Sequence, residues 1–311
     1  MAPASIVMGL NPTISDDAVL ADLDVTAFDS RATTVTHSWG SGRSEQQDVE
    51  RAAWYQQRGV AVLFAVDGVR GALDIADVDW AEREDWAKAA LDELFDSDLV
   101  VQGVVIGDLL DVSLDLASAA VRTKLTNYAR ELLDYANEHP ARRQETLVGI
   151  STDAAAWSEP SVELRDLASR VSLVTLSENG LDRSGTALSS DDFAHGLISQ
   201  LQSAHSYAAN VWLREVSYPS SRSAASSLEQ QAAALDALWA ALELEPKLVP
   251  FLTLSSLYDP IESECDAFRR AYRFDDPAAS ARCSIGLRAA NGDTRPAFAS
   301  VVTGFATLSQ R

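Results

Sequence analysis

Apolar and polar positions recur along this chain on two different periods. Short runs rich in Val, Ile and Leu, each closed by polar residues or glycine, are followed by longer stretches with apolar residues at helical spacing. Eight such runs are present: Ser5–Leu10, Thr33–Trp39, Val60–Asp67, Val100–Asp108, Thr146–Asp153, Val171–Glu178, Asn210–Glu215 and Lys247–Ser255. The helical stretches include Ser44–Gln57, Ala81–Phe95, Leu114–Glu138, Asp191–Ala204 and Ser226–Leu244, with a shorter one at Val162–Ala168. Ser44 with Gln47, and Ser226 with Glu229, read as capping boxes that start helices. Pro140 follows Glu138 and His139 and ends the long fourth helical stretch, because proline cannot continue it.

Continuously apolar strands alternating with helices imply parallel strands covered by helices. Eight such units in 311 residues predict a closed (β/α)8 barrel, folded as one domain over residues 1–311. A doubly wound open sheet is the alternative. It would normally place a Gly-rich phosphate turn after strand one, where this chain reads Gly9, Leu10, Asn11, Pro12, Thr13.

Charge narrows the partners. Asp and Glu number 46 against 25 Lys and Arg, a net charge of -21, and lysine occurs only at 88, 124 and 247. Such a surface repels phosphate backbones and anionic membranes, so no nucleic-acid or membrane partner is expected. It also suits a high-salt source, where self-repulsion is screened. No apolar stretch is long enough for a membrane helix. The amino terminus lacks a basic segment followed by an apolar one, which fits either a chain without a leader or one whose leader has been removed. Oligomeric state is not legible.

In a barrel of this kind, chemistry gathers at the carboxyl ends of the strands. The polar residues there are Asn11, His37, Trp39, Asp67, Asp108, Asp111, Asp153, Trp157, Glu178, Asn179, Glu215, Tyr218 and Asp259. A single acid after a strand is usually a helix cap. Acids at six strand ends, interleaved with Trp and Tyr, match what a sugar site requires: carboxylates for hydroxyls and aromatic faces for stacking. The four histidines, His37, His139, His195 and His205, show no metal-ligand spacing, and no CxxC or HExxH occurs, so neither a metal nor a cofactor is expected. No G-x-S-x-G elbow follows a strand.

The segment from Val211 to Ser221 reads VWLREVSYPSS, and Gln231 lies in the helix that follows. This resembles the strand-seven motif of the retaining glycoside hydrolases built on (β/α)8 barrels, nearest to the arabinogalactan endo-β-1,4-galactanases. Their pattern is roughly W-x-T-E-x-G-Y-P-S-S. The carboxyl-terminal stretch from Cys283 to Ala297, with Gly286, Leu287, Arg295 and Pro296, is similar to the family's closing pattern, and Ile106 to Asp111 is similar to its I-G-N-E-V-D at strand four. The resemblance implies a barrel with Glu215 as nucleophile. Arg214 stands where the family has Thr, and Ser217 where it has Gly.

Strand four departs more. Asp108 occupies the family's Asn position, and Leu109 occupies that of the acid/base Glu. Leucine cannot protonate a leaving oxygen, and retaining hydrolysis needs two carboxyl groups. Strand six reads Leu176, Ser177, Glu178, Asn179 where relatives carry an aromatic pair. Glu178 and Asp108 are candidate substitute acids; Glu178 reads equally as a loop carboxylate. Candidate sugar contacts are His37, Trp39, Asp67 and Tyr218. Trp39 and Tyr218 have packing roles as alternatives.

Cys265 and Cys283, with 17 residues between them, are a disulfide candidate, which would fit an exported, secreted or periplasmic protein; two free thiols in a cytoplasmic chain are the alternative. Three functions follow: a glycoside hydrolase or transglycosidase using Glu215 on a carbohydrate, a non-catalytic relative that binds glycan or serves as a scaffold, and an unrelated barrel lyase.

Overall fold

The computed structural model describes residues 6–10, 31–39, 42–67, 78–107, 110–111, 114, 117–182, 184–260, 262, 265–266, 281 and 283–309. Eight strands appear where the apolar runs are. They are β1 (Val7–Leu10), β2 (Ala32–Ser38), β3 (Ala61–Asp67), β4 (Gly103–Ile106), β5 (Leu147–Asp153), β6 (Leu173–Glu178), β7 (Asn210–Val216) and β8 (Phe251–Leu254). They form a closed parallel (β/α)8 barrel in chain order, in which β1 and β8 pair from Val7 opposite Phe251 to Leu10 opposite Leu254. In β3 every residue from Val62 to Asp67 is buried, as expected for a strand covered on both faces.

Seven helices are described: α1 (Glu45–Gln56), α2 (Trp80–Asp96), α3 (Ala119–Glu138), α4 (Val162–Ala168), α5 (Ser190–His205), α6 (Leu228–Leu244) and α7 (Pro296–Ser309). Ser44 and Gln47 form the expected capping box on α1. At the second expected box the cap lies one residue further on. Ser227, not Ser226, caps α6 through the Gln230 N–H, because the buried Ser226 hydroxyl donates to the Pro219 carbonyl. Two boundaries move by more than three residues. β8 begins at Phe251 rather than Lys247, since Pro246 and Pro250 have no N–H for a ladder. α3 begins at Ala119 rather than Leu114.

The chain gathers into two compact units: Met1–Ala32 with Glu178–Gln202 and Leu213–Arg311, and Thr33–Ser177 with Ser203–Trp212. In the second, α1 to α4 pack on β3 to β5, and buried Leu91, Leu94, Leu125, Leu132 and Leu164 line the helical side. In the first, α6 and α7 pack together, with Trp239 edge-on to Phe305 at 6.0 Å. Gly304 makes that approach possible, because a Cβ there would lie 2.6 Å from three atoms of the Trp239 indole. Alanine would add about 1 kcal/mol of helix propensity. Overpacking against a rigid ring costs about 1–3 kcal/mol. Gly304→Ala is therefore expected to lower the urea midpoint without changing the slope of the transition, measured by circular dichroism.

Candidate active site

Within the first unit, β7 does not end as a regular strand. Leu213 pairs with Leu252 but Val216 pairs with Leu254, so the ladder slips between them. Three steps along β7 thus match two along β8, which is the signature of a bulge. Glu215 lies inside that slip with φ of 60°, one of two left-handed non-glycine residues among those described. Neighbouring side chains on a regular strand point to opposite faces. The break in the pleat lets the Arg214 guanidinium reach its neighbour: Nη2 donates to Glu215 Oε1 at 2.6 Å. Arg214 is only 1% exposed, whereas the Glu215 side chain is 32% exposed. A buried cation therefore holds a carboxylate at the surface of the fold. The charge-assisted bond is stronger than a neutral one.

Glu178 ends β6 and is buried. Its Oε1 accepts the Gly180 N–H at 2.8 Å, closing its own turn, while its carbonyl accepts the Ser217 N–H at 2.8 Å. Gly180 has φ of 66°, and an added Cβ would run into the Tyr218 ring. Tyr218 is 2% exposed, packs edge-on to Phe193 at 5.3 Å, and donates its hydroxyl to the Leu188 carbonyl. Burial pushes the Tyr218 phenol up. This is a packing environment, and it lends no support to Tyr218 as a stacking platform.

The residues of the motif's tail converge beside β7. Gln231 Nε2 reaches the carbonyls of Tyr218, Ile285 and Gly286 at 2.8, 3.2 and 3.3 Å. Arg295 Nη1 donates to Ser220 Oγ and to the carbonyls of Ser284 and Gly286, and its Nη2 pairs with Asp259. Asp259 Oδ1 accepts the Gly286 N–H at 2.9 Å. Burial pushes the Asp259 carboxyl up, and Arg295 and that N–H counter the push. Cys265 and Cys283 are joined by a disulfide, so Ser284 to Gly286 are tethered at one end. Removing Arg295 would strand a carboxylate whose side chain is 12% exposed. Losing one member of a buried pair costs about 3 kcal/mol or more. Arg295→Met is expected to lower unfolding stability by about that much, and Asp259→Asn, which keeps acceptors for the guanidinium, by less; urea titration of both variants checks this.

Within the second unit, His37 is fully buried on β2. Its Nδ1 lies 2.8 Å from Asp48 Oδ2 on α1, and its ring stacks on Trp86 of α2 at 4.6 Å. Arg43 Nε lies 2.8 Å from the other Asp48 oxygen. The imidazole thus faces the helices, and its enclosure lends no support to a sugar contact. Trp39 is half-buried: Arg83 lies 4.1 Å over its ring and Trp86 meets it edge-on at 5.5 Å. Burial lowers the Arg83 pKa, against the charges of Glu82 and Asp67. Asp67 ends β3, is 2% exposed, and accepts the Trp39 N–H on its carbonyl. Desolvation raises the Tyr128 phenol, and Asp67 adds to it.

Other strand-end acids serve the local chain. Asp153 caps the turn Ala154–Trp157, and Asp111 Oδ1 accepts the Asp153 N–H. Trp157 is fully buried, with its Nε1–H on Thr152 Oγ1. Asn11, Asp108 and Leu109 lie outside the described residues, so the strand-four comparison rests on sequence. Among the described residues no group of His, Cys, Asp and Glu could hold a metal ion, and no helix is long and apolar enough to cross a membrane. Sequence reasoning missed Asp48, Arg43, Trp86 and Arg83. Arg214 was visible only as a departure from a motif.

No family model and no curated protein matches the chain. Solved structures do match. A GH5_18 protein from Bifidobacterium longum subsp. infantis superposes with TM-score 0.68 at 15% identity, over 99% of this chain and 80% of that one. A chain from a structural study of two fungal β-1,4-galactanases matches with TM-score 0.63 at 11% identity, over 97% of this chain and 100% of that one. A psychrophilic glycoside hydrolase family 10 endo-β-1,4-xylanase matches with TM-score 0.60 at 11% identity, over 96% of both. The fold of this chain is the one found in glycoside hydrolase (β/α)8 barrels.

Proposed function

We propose that the chain is a single-domain, glycoside hydrolase-like barrel over residues 1–311 that acts on a β-linked poly- or oligosaccharide, with Glu215 as retained nucleophile and an impaired acid/base at strand four. One observation carries this reading. Glu215 sits at the carboxyl end of β7 in a left-handed backbone, on a bulge, with its carboxylate paired to a buried arginine and still one-third exposed. A non-glycine residue in that conformation is strained by about 1–3 kcal/mol, and such strain concentrates at functional sites.

The chemistry follows from one good carboxylate without a matched acid. A Glu215 oxygen attacks the anomeric carbon while the bond to the leaving oxygen breaks and its electron pair departs with that oxygen. A phenolate such as 2,4-dinitrophenolate leaves without a proton; a sugar alkoxide does not. Water then attacks the glycosyl-enzyme, and its proton passes to solvent. Activated aryl β-glycosides should therefore turn over far faster than β-1,4-galactan or other natural β-glycans. Assaying both classes tests the reading: no turnover of any aryl β-glycoside in a folded protein overturns it.

The second reading is a non-catalytic relative that binds glycan in the same barrel. Leu109 at the acid position favours it. Binding of β-1,4-galactan without turnover of either substrate class would select it. The Cys265–Cys283 disulfide supports an exported, secreted or periplasmic location, since such bonds persist in oxidising compartments.

A further inference from the structure

We infer that Arg214 is a positioning residue that clamps Glu215 by Oε1 and so sets the orientation of the attacking carboxylate; the inference rests on the nucleophile reading above. Adjacent side chains on a strand cannot ordinarily meet, so this contact exists only because the chain leaves the pleat at Glu215. The backbone amide of Glu215 is held too, 3.4 Å from Thr253 Oγ1 on β8. Arg214 is enclosed at 1% exposure, so it cannot itself meet a sugar; it acts through Glu215. A guanidinium is permanently charged and planar, so its bond fixes both the charge and the orientation of one carboxylate oxygen. Where a carboxylate attacks, orientation counts: a misplacement of about 1 Å can cost on the order of 100-fold in rate.

Two measurements test this, and their failures separate. The first is a double-mutant cycle in urea with Arg214→Met and Glu215→Ala, each of which removes the contact. A clamp predicts coupling between the two sites of about fivefold or more in the unfolding equilibrium constant; additive effects overturn the pairing whatever the enzymology. The second is the rate at which 2,4-dinitrophenyl 2-deoxy-2-fluoro-β-glycosides of glucose, galactose, mannose and xylose label the protein, read by peptide mass. Labelling should fall on Glu215. Per folded molecule, Arg214→Met should slow it by about tenfold or more, and Arg214→Lys should recover part of the rate. An unchanged rate in Arg214→Met, or one no better in Arg214→Lys, overturns the positioning role. If Arg214→Met does not fold, the comparison of Arg214→Lys with wild type decides: an unchanged rate overturns the role. A wild-type protein that none of the four reagents labels, with coupling intact, overturns the nucleophile reading and the positioning role with it, but not the pair.

Discussion

Replacing Glu215 with glutamine is expected to abolish turnover of activated aryl β-glycosides, by on the order of 10⁴-fold or more in kcat/KM. The substitution separates chemistry from folding. Glutamine keeps the size of the side chain and an oxygen to accept the Arg214 Nη2–H, which stands 2.6 Å from Oε1. The backbone keeps its left-handed turn, since neither residue prefers it more than the other. What is lost is the anionic oxygen to which the proposed mechanism assigns the attack on the anomeric carbon. Circular dichroism and the urea midpoint should change little, while initial rates on dinitrophenyl glycosides fall to background. Retention of turnover in a folded Glu215→Gln protein would remove this residue from the mechanism.

Leu109→Glu should act in the opposite direction, raising hydrolysis of β-glycosides with sugar leaving groups by about 10²–10⁴-fold. A carboxyl group at that position would protonate the departing alkoxide and then deprotonate the incoming water, the two tasks a retaining mechanism assigns to its second carboxylate. Substrates with dinitrophenolate leaving groups gain nothing in the first step. The gain should therefore scale with leaving-group basicity, and a plot of rate against leaving-group pKa should flatten in the variant. No gain in a folded variant would show that Leu109 does not occupy the acid/base place.

The strands were legible because burial on two faces leaves a mark: β3 is apolar almost throughout, and its ends at Ala61 and Asp67 fall within a residue of the run that predicts it. Proline marks the end of α3 and the start of β8, whereas side-chain competition sets the cap of α6. Ser226 and Ser227 are chemically identical as caps, and which one serves depends on where the Pro219 carbonyl lies. The site was legible only in part. Glu215 stands out through its motif, but its positive φ carries no glycine or asparagine to announce it. His37 read as a mouth residue because it lies near a strand end. Only its pairing with Asp48, eleven positions away on a helix, shows which way the ring turns. Tyr218 reads either as a platform or as a packing residue, and what the sequence does not carry is the set of neighbours, Phe193 and the Leu188 carbonyl, that surround it.

The loop after β7 is fastened from far along the chain, by Gln231 and by an arginine at position 295 that bonds Ser220 and the Gly286 carbonyl. Protein synthesis proceeds from the amino end, and domains tend to fold as they emerge. A nascent polypeptide can lay down β1 to β8 well before Arg295 leaves the ribosome, yet the ground beside Glu215 stays unset until it does. The loop that follows Glu215 is therefore fixed later than the strands it joins, and a chain cut short before position 295 would keep β1 to β8 but lose this fastening.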